Sequence, residues 1–235
     1  MIDVVLKNYC NDVLTDKISS GIHLKNAVSR FLNDLQKAEE NGWYFSEASY
    51  NKVVDFIATL THFTGKHAGK PFILQPWQIF IIANLYGFYN KDGSRRFQTA
   101  YLEMARKQGK TALVAALSLY NLVADEEEAA EILLAANSKD QAKIAFNMVR
   151  AFAKGLDPDE KKLKRFRSDI ILKDSPAFIK TLAADSSKID GYNCSVGIVD
   201  EYHSAPNSHV RDVIRSSQGM RVNPLLITIT FSNSS

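Results

Sequence analysis

An apolar stretch ending at Met104 runs into Ala105-Arg106-Lys107-Gln108-Gly109-Lys110-Thr111-Ala112 and then into an Ala- and Leu-rich segment reaching Val123. A strand, a loop closing on Gly-Lys-Thr and a helix, in that order, build a nucleoside-triphosphate site. Backbone N–H groups after Gly109 would face the phosphates, Lys110 would reach the β and γ oxygens, and the Thr111 hydroxyl would ligate Mg²⁺. Gln108, Gly109 and Ala112 complete the phosphate contacts. The full motif carries a glycine five residues before Gly109, and Met104 stands there instead, so the pattern needs support from elsewhere in the chain.

That support lies downstream. Ser195-Val-Gly-Ile-Val-Asp200-Glu201 is an apolar run ending in two carboxylates. A buried strand that delivers an Asp-Glu pair to the carboxyl edge of a sheet puts both beside the phosphates. Asp200 would hold Mg²⁺ through water opposite Thr111, and Glu201 would orient and deprotonate the attacking water. On its own the pair reads as a solvated strand end; the loop upstream is what gives it a task. Arg106 and Lys107 sit within the loop, where charge grows on the γ-phosphoryl group, and either could act as an arginine finger in cis. Lys107 is equally readable as a solvated loop cation.

The elements that must position these groups follow from periodicity. Leu24, Val28, Phe31, Leu32 and Leu35 lie at helical spacing with Gly42 as a stop signal, and a second helix starting near Ser46 carries Val53, Val54, Phe56, Ile57 and Leu60. Pro76 suits the first turn of an apolar helix reaching about Asn90. Strands are expected over Phe97–Met104, Glu131–Ala136, Ile170–Leu172, Phe178–Ala183, Ser195–Asp200 and Leu225–Phe231. Helices are expected from Thr111 to Val123 and from a Ser138 cap to Lys154, and 157–167 is a charged helical or irregular piece. Alternating strands and helices imply an α/β fold with a mainly parallel sheet flanked by helices. The expected division is a helical N-terminal region at 1–70, lid-like, and a P-loop core at 71–235.

At 235 residues, 46% hydrophobic and 23% charged, the composition is ordinary for a globular chain, and a net charge of +3 diagnoses no nucleic-acid binder. Cys10 and Cys194 make neither a disulfide framework nor a metal pattern, which fits a reducing setting. The most apolar segment, Ile79 to Phe88, is shorter than the ~20 residues needed to span a bilayer. The basic cluster Lys161, Lys162, Lys164, Arg165 and Arg167 could touch a DNA backbone, with a solvated face as the bland alternative. Trp43, Tyr44 and Phe45 read more as core or a docking edge than as a base-stacking platform.

Three stretches taken together carry a resemblance. The loop Ala105–Thr111, the run from Ala183 through Asp200-Glu201-Tyr202-His203 to Pro206, and the upstream Gln75-Pro76-Trp77-Gln78 resemble the ATPase domain of the large terminase subunit of tailed bacteriophages. The resemblance implies an ASCE/RecA-like P-loop NTPase that uses ATP and Mg²⁺. It implies that Gln78 and Gln75 read adenine, that Arg106 is catalytic beside Glu201 and Lys110, and that the loop lacks its first glycine. It further implies a motor pushing double-stranded DNA into a procapsid, ring-forming on the portal protein, working with the small terminase subunit in the host cytoplasm, with no membrane partner. The family's coupling segment follows the strand after the carboxylates, and at that place this chain offers Thr230 or Ser232. Thr230 reads equally as a strand hydroxyl bonded to backbone. No nuclease domain is expected between there and Ser235. The rival readings are a DExH-type helicase, from Asp200-Glu201-Tyr202-His203, and a catalytically idle nucleotide-binding scaffold.

Overall fold

The computed structural model describes residues 3–63, 68–105, 108–136, 138–183, 191–202 and 207–231. The chain separates into two compact units, one made of residues 1–55 and 73–97 and the other of 56–72 and 98–235. This differs from a break at residue 70, because the segment 73–97 packs with the N-terminal helices.

The first unit contains helices α1 (Val4–Leu14), α2 (Ile22–Gln36), α3 (Ala38–Asn41), most of α4 (Glu47–Ala58) and α5 (Pro76–Gly87), with strands β1 (Trp43–Phe45) and β2 (Phe88–Asn90) paired antiparallel. Phe31 on α2 is its centre, meeting Phe45, Phe80 and Phe88 edge-on at 5.4 to 6.3 Å between ring centroids. Beside it the buried Asp34 carboxylate pairs with Arg96, whose guanidinium lies 3.7 Å from the Trp43 ring centroid. Trp43 donates its indole N–H to the Asp34 carbonyl. Trp43 and Phe45 are thus half-buried against this cluster, while Tyr44 between them is exposed and stacks on Tyr89.

The second unit is built on a seven-stranded sheet of β3 (Thr99–Glu103), β4 (Glu131–Ala136), β5 (Leu163–Arg165), β6 (Asp169–Leu172), β7 (Phe178–Ala183), β8 (Val196–Asp200) and β9 (Leu225–Thr230). Its order is β3-β9-β8-β4-β7-β6-β5. The run from β3 to β7 is parallel, and β6 and β5 add antiparallel pairings at one edge. Strands β4, β8 and β9 are apolar and buried along almost their whole length, as parallel strands covered on both faces must be. Helices α6 (Lys110–Val123), α7 (Lys139–Leu156) and α8 (His209–Ser217) supply the cover.

Close packing sets where these helices lie. A Cβ on Gly197, in the middle of β8, would come within 2.2 Å of Ile214 Cγ2, so only glycine lets α8 approach the strand this closely. At the opposite edge from the carboxyl ends, Arg221 ties three loops. Its guanidinium donates to the carbonyls of Asn193, Glu128 and Ala129 and to the Glu127 carboxylate, fixing the entries to β4, β8 and β9.

The charged piece 157–167 is neither helix nor disordered loop. The Asp157 carboxylate accepts from the N–H groups of Lys161, Lys162 and Leu163, turning the chain into the β5–β6 hairpin. Arg165 is spent on the carbonyls of Asp157 and Pro158, which removes it from the expected basic cluster. Among the described residues no helix is long and apolar enough to cross a membrane, and Cys10 and Cys194 are free and buried.

Candidate active site

The parallel strands β3, β9 and β8 release their chains at one edge of the sheet, and among the described residues Lys110, Asp200 and Thr230 stand at the ends of those strands or directly after them. Neighbouring strands are about 4.8 Å apart, so the exits of β3 and β8 stand on the order of 10 Å from each other with the end of β9 between them.

After β3 the chain passes Met104 and Ala105, and at Gly109 it turns through a left-handed conformation, φ 87°, to start α6. A side chain at that angle costs about 1–2 kcal/mol, which glycine avoids. Helix α6 starts directly at Lys110 with no side-chain cap, so the N–H groups of its first turn, from Lys110 through Thr111 and Ala112, point out of the helix without an internal acceptor. Gln108 and Gly109 are exposed in front of them. Lys110 folds across the loop: its Nζ donates to the carbonyls of Met104, at 3.3 Å, and Thr230, at 3.1 Å, and lies over the Phe231 ring. Arg106 and Lys107, and Ser232 and His203 elsewhere, lie outside the described residues.

Strand β8 delivers Asp200, which sits opposite Ala136 of β4. Glu201 comes next in a left-handed conformation, φ 54°, unusual for a residue with a side chain, and its N–H donates to Asp200 Oδ1 at 2.9 Å. The Glu201 carboxylate accepts a hydrogen bond from the Gln141 side-chain amide. Sequence reading missed Gln141. A signal was present in Ser138-Lys-Asp-Gln141, a capping-box spacing: Ser138 Oγ does accept from Gln141 N–H at 3.2 Å, but the glutamine amide reaches Glu201.

Asp200 and Thr111 offer a carboxylate and a hydroxyl, the hard oxygen donors that Mg²⁺ selects. Thr230, at the end of β9, is buried, and its hydroxyl has no hydrogen-bond partner among the described residues, unlike the backbone-bonded hydroxyl of the bland reading.

Gln75 and Gln78 belong to the first unit. Gln75 caps α5 and Gln78 occupies the third helical position, where its Oε1 accepts from the Gln75 N–H at 2.8 Å. The buried Gln78 thus has a structural task through its oxygen, while its amide N–H groups are the part suited to a purine nitrogen.

Residues 76–235 match the family described as terminase large subunit, ATPase domain. Over 172 residues, 71% of the chain, the sequence is 32% identical to the large terminase subunit of Enterobacteria phage HK97, of which it covers 33%. Among solved structures, the HK97 bacteriophage large terminase superposes with a TM-score of 0.64 at 30% identity, covering 77% of this chain and 37% of that one. The large terminase ATPase domain of Thermus phage P74-26 gives a TM-score of 0.48 at 18% identity, over 59% of this chain and 62% of that one. The chain thus spans about a third of the length of the HK97 protein.

Proposed function

This chain belongs to the terminase large-subunit ATPase-domain family, and from that premise we propose that it hydrolyses Mg²⁺-ATP to drive double-stranded DNA into a phage procapsid. The observation that carries the proposal is the edge of the sheet where Lys110 follows β3, Asp200 and Glu201 end β8, and the Thr230 carbonyl on the intervening β9 bonds the Lys110 ammonium. In this reading the first turn of α6, with Gln108 and Gly109, cradles the phosphates, and Lys110 neutralises the β and γ oxygens. Thr111 and Asp200 would hold Mg²⁺, which when bound offsets charge on the phosphates. Glu201 takes the proton of the attacking water.

Arg106 is assigned to the γ-phosphoryl charge in cis and Lys107 to the phosphate chain. Gln78 and Gln75 are assigned to adenine. Thr230, whose hydroxyl is buried and unpartnered, and Ser232 are assigned to coupling between hydrolysis and movement of DNA. Assembly into a ring on the portal, recruitment by the small subunit and a place in the host cytoplasm belong to the same proposal. Family membership favours it over the helicase and scaffold readings.

The test is Glu201→Gln. ATP binding should persist while phosphate release falls by about 10²-fold or more, as for loss of a positioned base. Turnover at the wild-type rate would remove Glu201 from that role.

A further inference from the structure

We propose that Gln141 is the positioning residue of Glu201, setting the carboxylate that meets the attacking water; this rests on reading Glu201 as the base. Three observations on different elements converge on it. The register of β4 and β8 places Ala136 beside Asp200, so the chain leaving β4 enters α7 next to the chain leaving β8. Gln141, in the first turn of α7, is held from behind: Ser138 Oγ accepts its N–H, and Ala142, Ala145, Phe146 and Val149 bury the helix against its unit. Glu201 carries a left-handed backbone, so its side chain leaves the strand in a direction that the sheet itself does not dictate, and the Gln141 amide is bonded to it there.

The chemistry suits the task. A carboxamide Nε2 donates and cannot accept a proton at this acidity, so it fixes one carboxylate oxygen without competing for the proton that the base must take. A carboxylate has about four acceptor sites on its two oxygens, and one amide does not exhaust them. A lysine in the same place would form a competing ion pair, and an aliphatic side chain would let the carboxylate turn. Gln141 touches neither phosphate nor water in this scheme and acts only through Glu201.

The experiment compares ATP hydrolysis by the wild-type chain, Glu201→Gln, Gln141→Ala and Gln141→Glu, with thermal melting as a folding control and NMR of the Gln141 side-chain amide. Gln141→Ala should lower kcat about tenfold or more, the scale of one hydrogen bond to a charged group, with KM for ATP within about twofold. Gln141→Glu keeps the size but turns the donor into an acceptor. It should be at least as slow at neutral pH and regain rate on acidification, as the introduced carboxyl becomes protonated and can donate again. The Gln141 amide resonance should move in Glu201→Gln. Wild-type kcat in Gln141→Ala beside an inactive Glu201→Gln would overturn the positioning role alone. Wild-type turnover in Glu201→Gln would overturn the base reading and the role of Gln141 with it. An amide resonance unmoved by Glu201→Gln would show that the contact is not made, whatever the rates.

Discussion

The ammonium of Lys110 donates to the carbonyl of Thr230, a residue 120 positions later in the chain, at 3.1 Å. The same carbonyl also receives the Met104 N–H at 3.4 Å, so the strand that leads into the loop, the loop lysine and the end of β9 share one acceptor. A phosphate chain seated on the first turn of α6 would compete with that carbonyl for the ammonium. Under the proposed function, nucleotide binding and the end of β9 would be linked through this one side chain.

Lys110→Ala should weaken ATP binding by about 10- to 100-fold, the range for loss of a hydrogen bond from a charged group. Calorimetric titration with ATP checks this. Unchanged affinity would reject the phosphate-loop assignment.

The Gln78 oxygen holds the α5 cap, and under the proposed function its amide would meet adenine; one substitution separates the two roles. Gln78→Glu keeps an oxygen to accept the Gln75 N–H, so α5 retains its cap, while the buried carboxylate should lower the melting temperature, which thermal melting reports separately from binding. The lost donor should cost about tenfold in ATP affinity and reduce the preference for ATP over GTP. Equal affinities for both nucleotides in wild type and variant would remove Gln78 from adenine reading.

Gly197→Ala drives a methyl to 2.2 Å from Ile214 Cγ2 and 3.3 Å from Leu226 Cδ1, so α8 must move off β8. The expected destabilisation is about 1–3 kcal/mol by urea unfolding. Because the clash is with one side chain, combining it with Ile214→Ala should cost less than the sum of the two single changes.

Asp157 supplies a pH signature. Hydrogen bonds from the Leu163, Lys162 and Lys161 N–H groups, with the nearby Arg165 charge, hold its carboxyl below the usual carboxylate range. A depressed folded-state value contributes stability above the unfolded pKa, and that contribution is lost as pH falls through the folded value. Wild type should therefore melt above Asp157→Asn at neutral pH. The gap should close below about pH 4, and a gap independent of pH would contradict this account.

Much of the second unit was legible in sequence because its signals are local. Apolar runs of buried length gave β4, β7, β8 and β9 to within a residue or two, and Ser138 marked the start of α7 as its side chain required. The hairpin at 163–172 was half seen: its second strand was read, but β5 is a short alternating segment among lysines, and what makes it a strand is Asp157 holding three N–H groups from outside it. Helix α1 was missed although Leu6, Tyr9, Cys10 and Val13 stand at helical spacing; the pair β1–β2 was missed because three-residue strands stabilised by distant aromatics such as Phe31 leave little periodicity of their own.

The sequence by itself determined the kind of site: Gly109, Lys110 and Thr111 before a helix, and Asp200-Glu201 after an apolar strand, are chemistry written in adjacent residues. Only the tertiary structure decided that β9 lies between their strands, that Thr230 meets Lys110, and that Gln141 reaches Glu201. Those relations depend on strand order and register. Both are fixed by burying β4, β8 and β9 on two faces at once, a condition that no single stretch of chain can express.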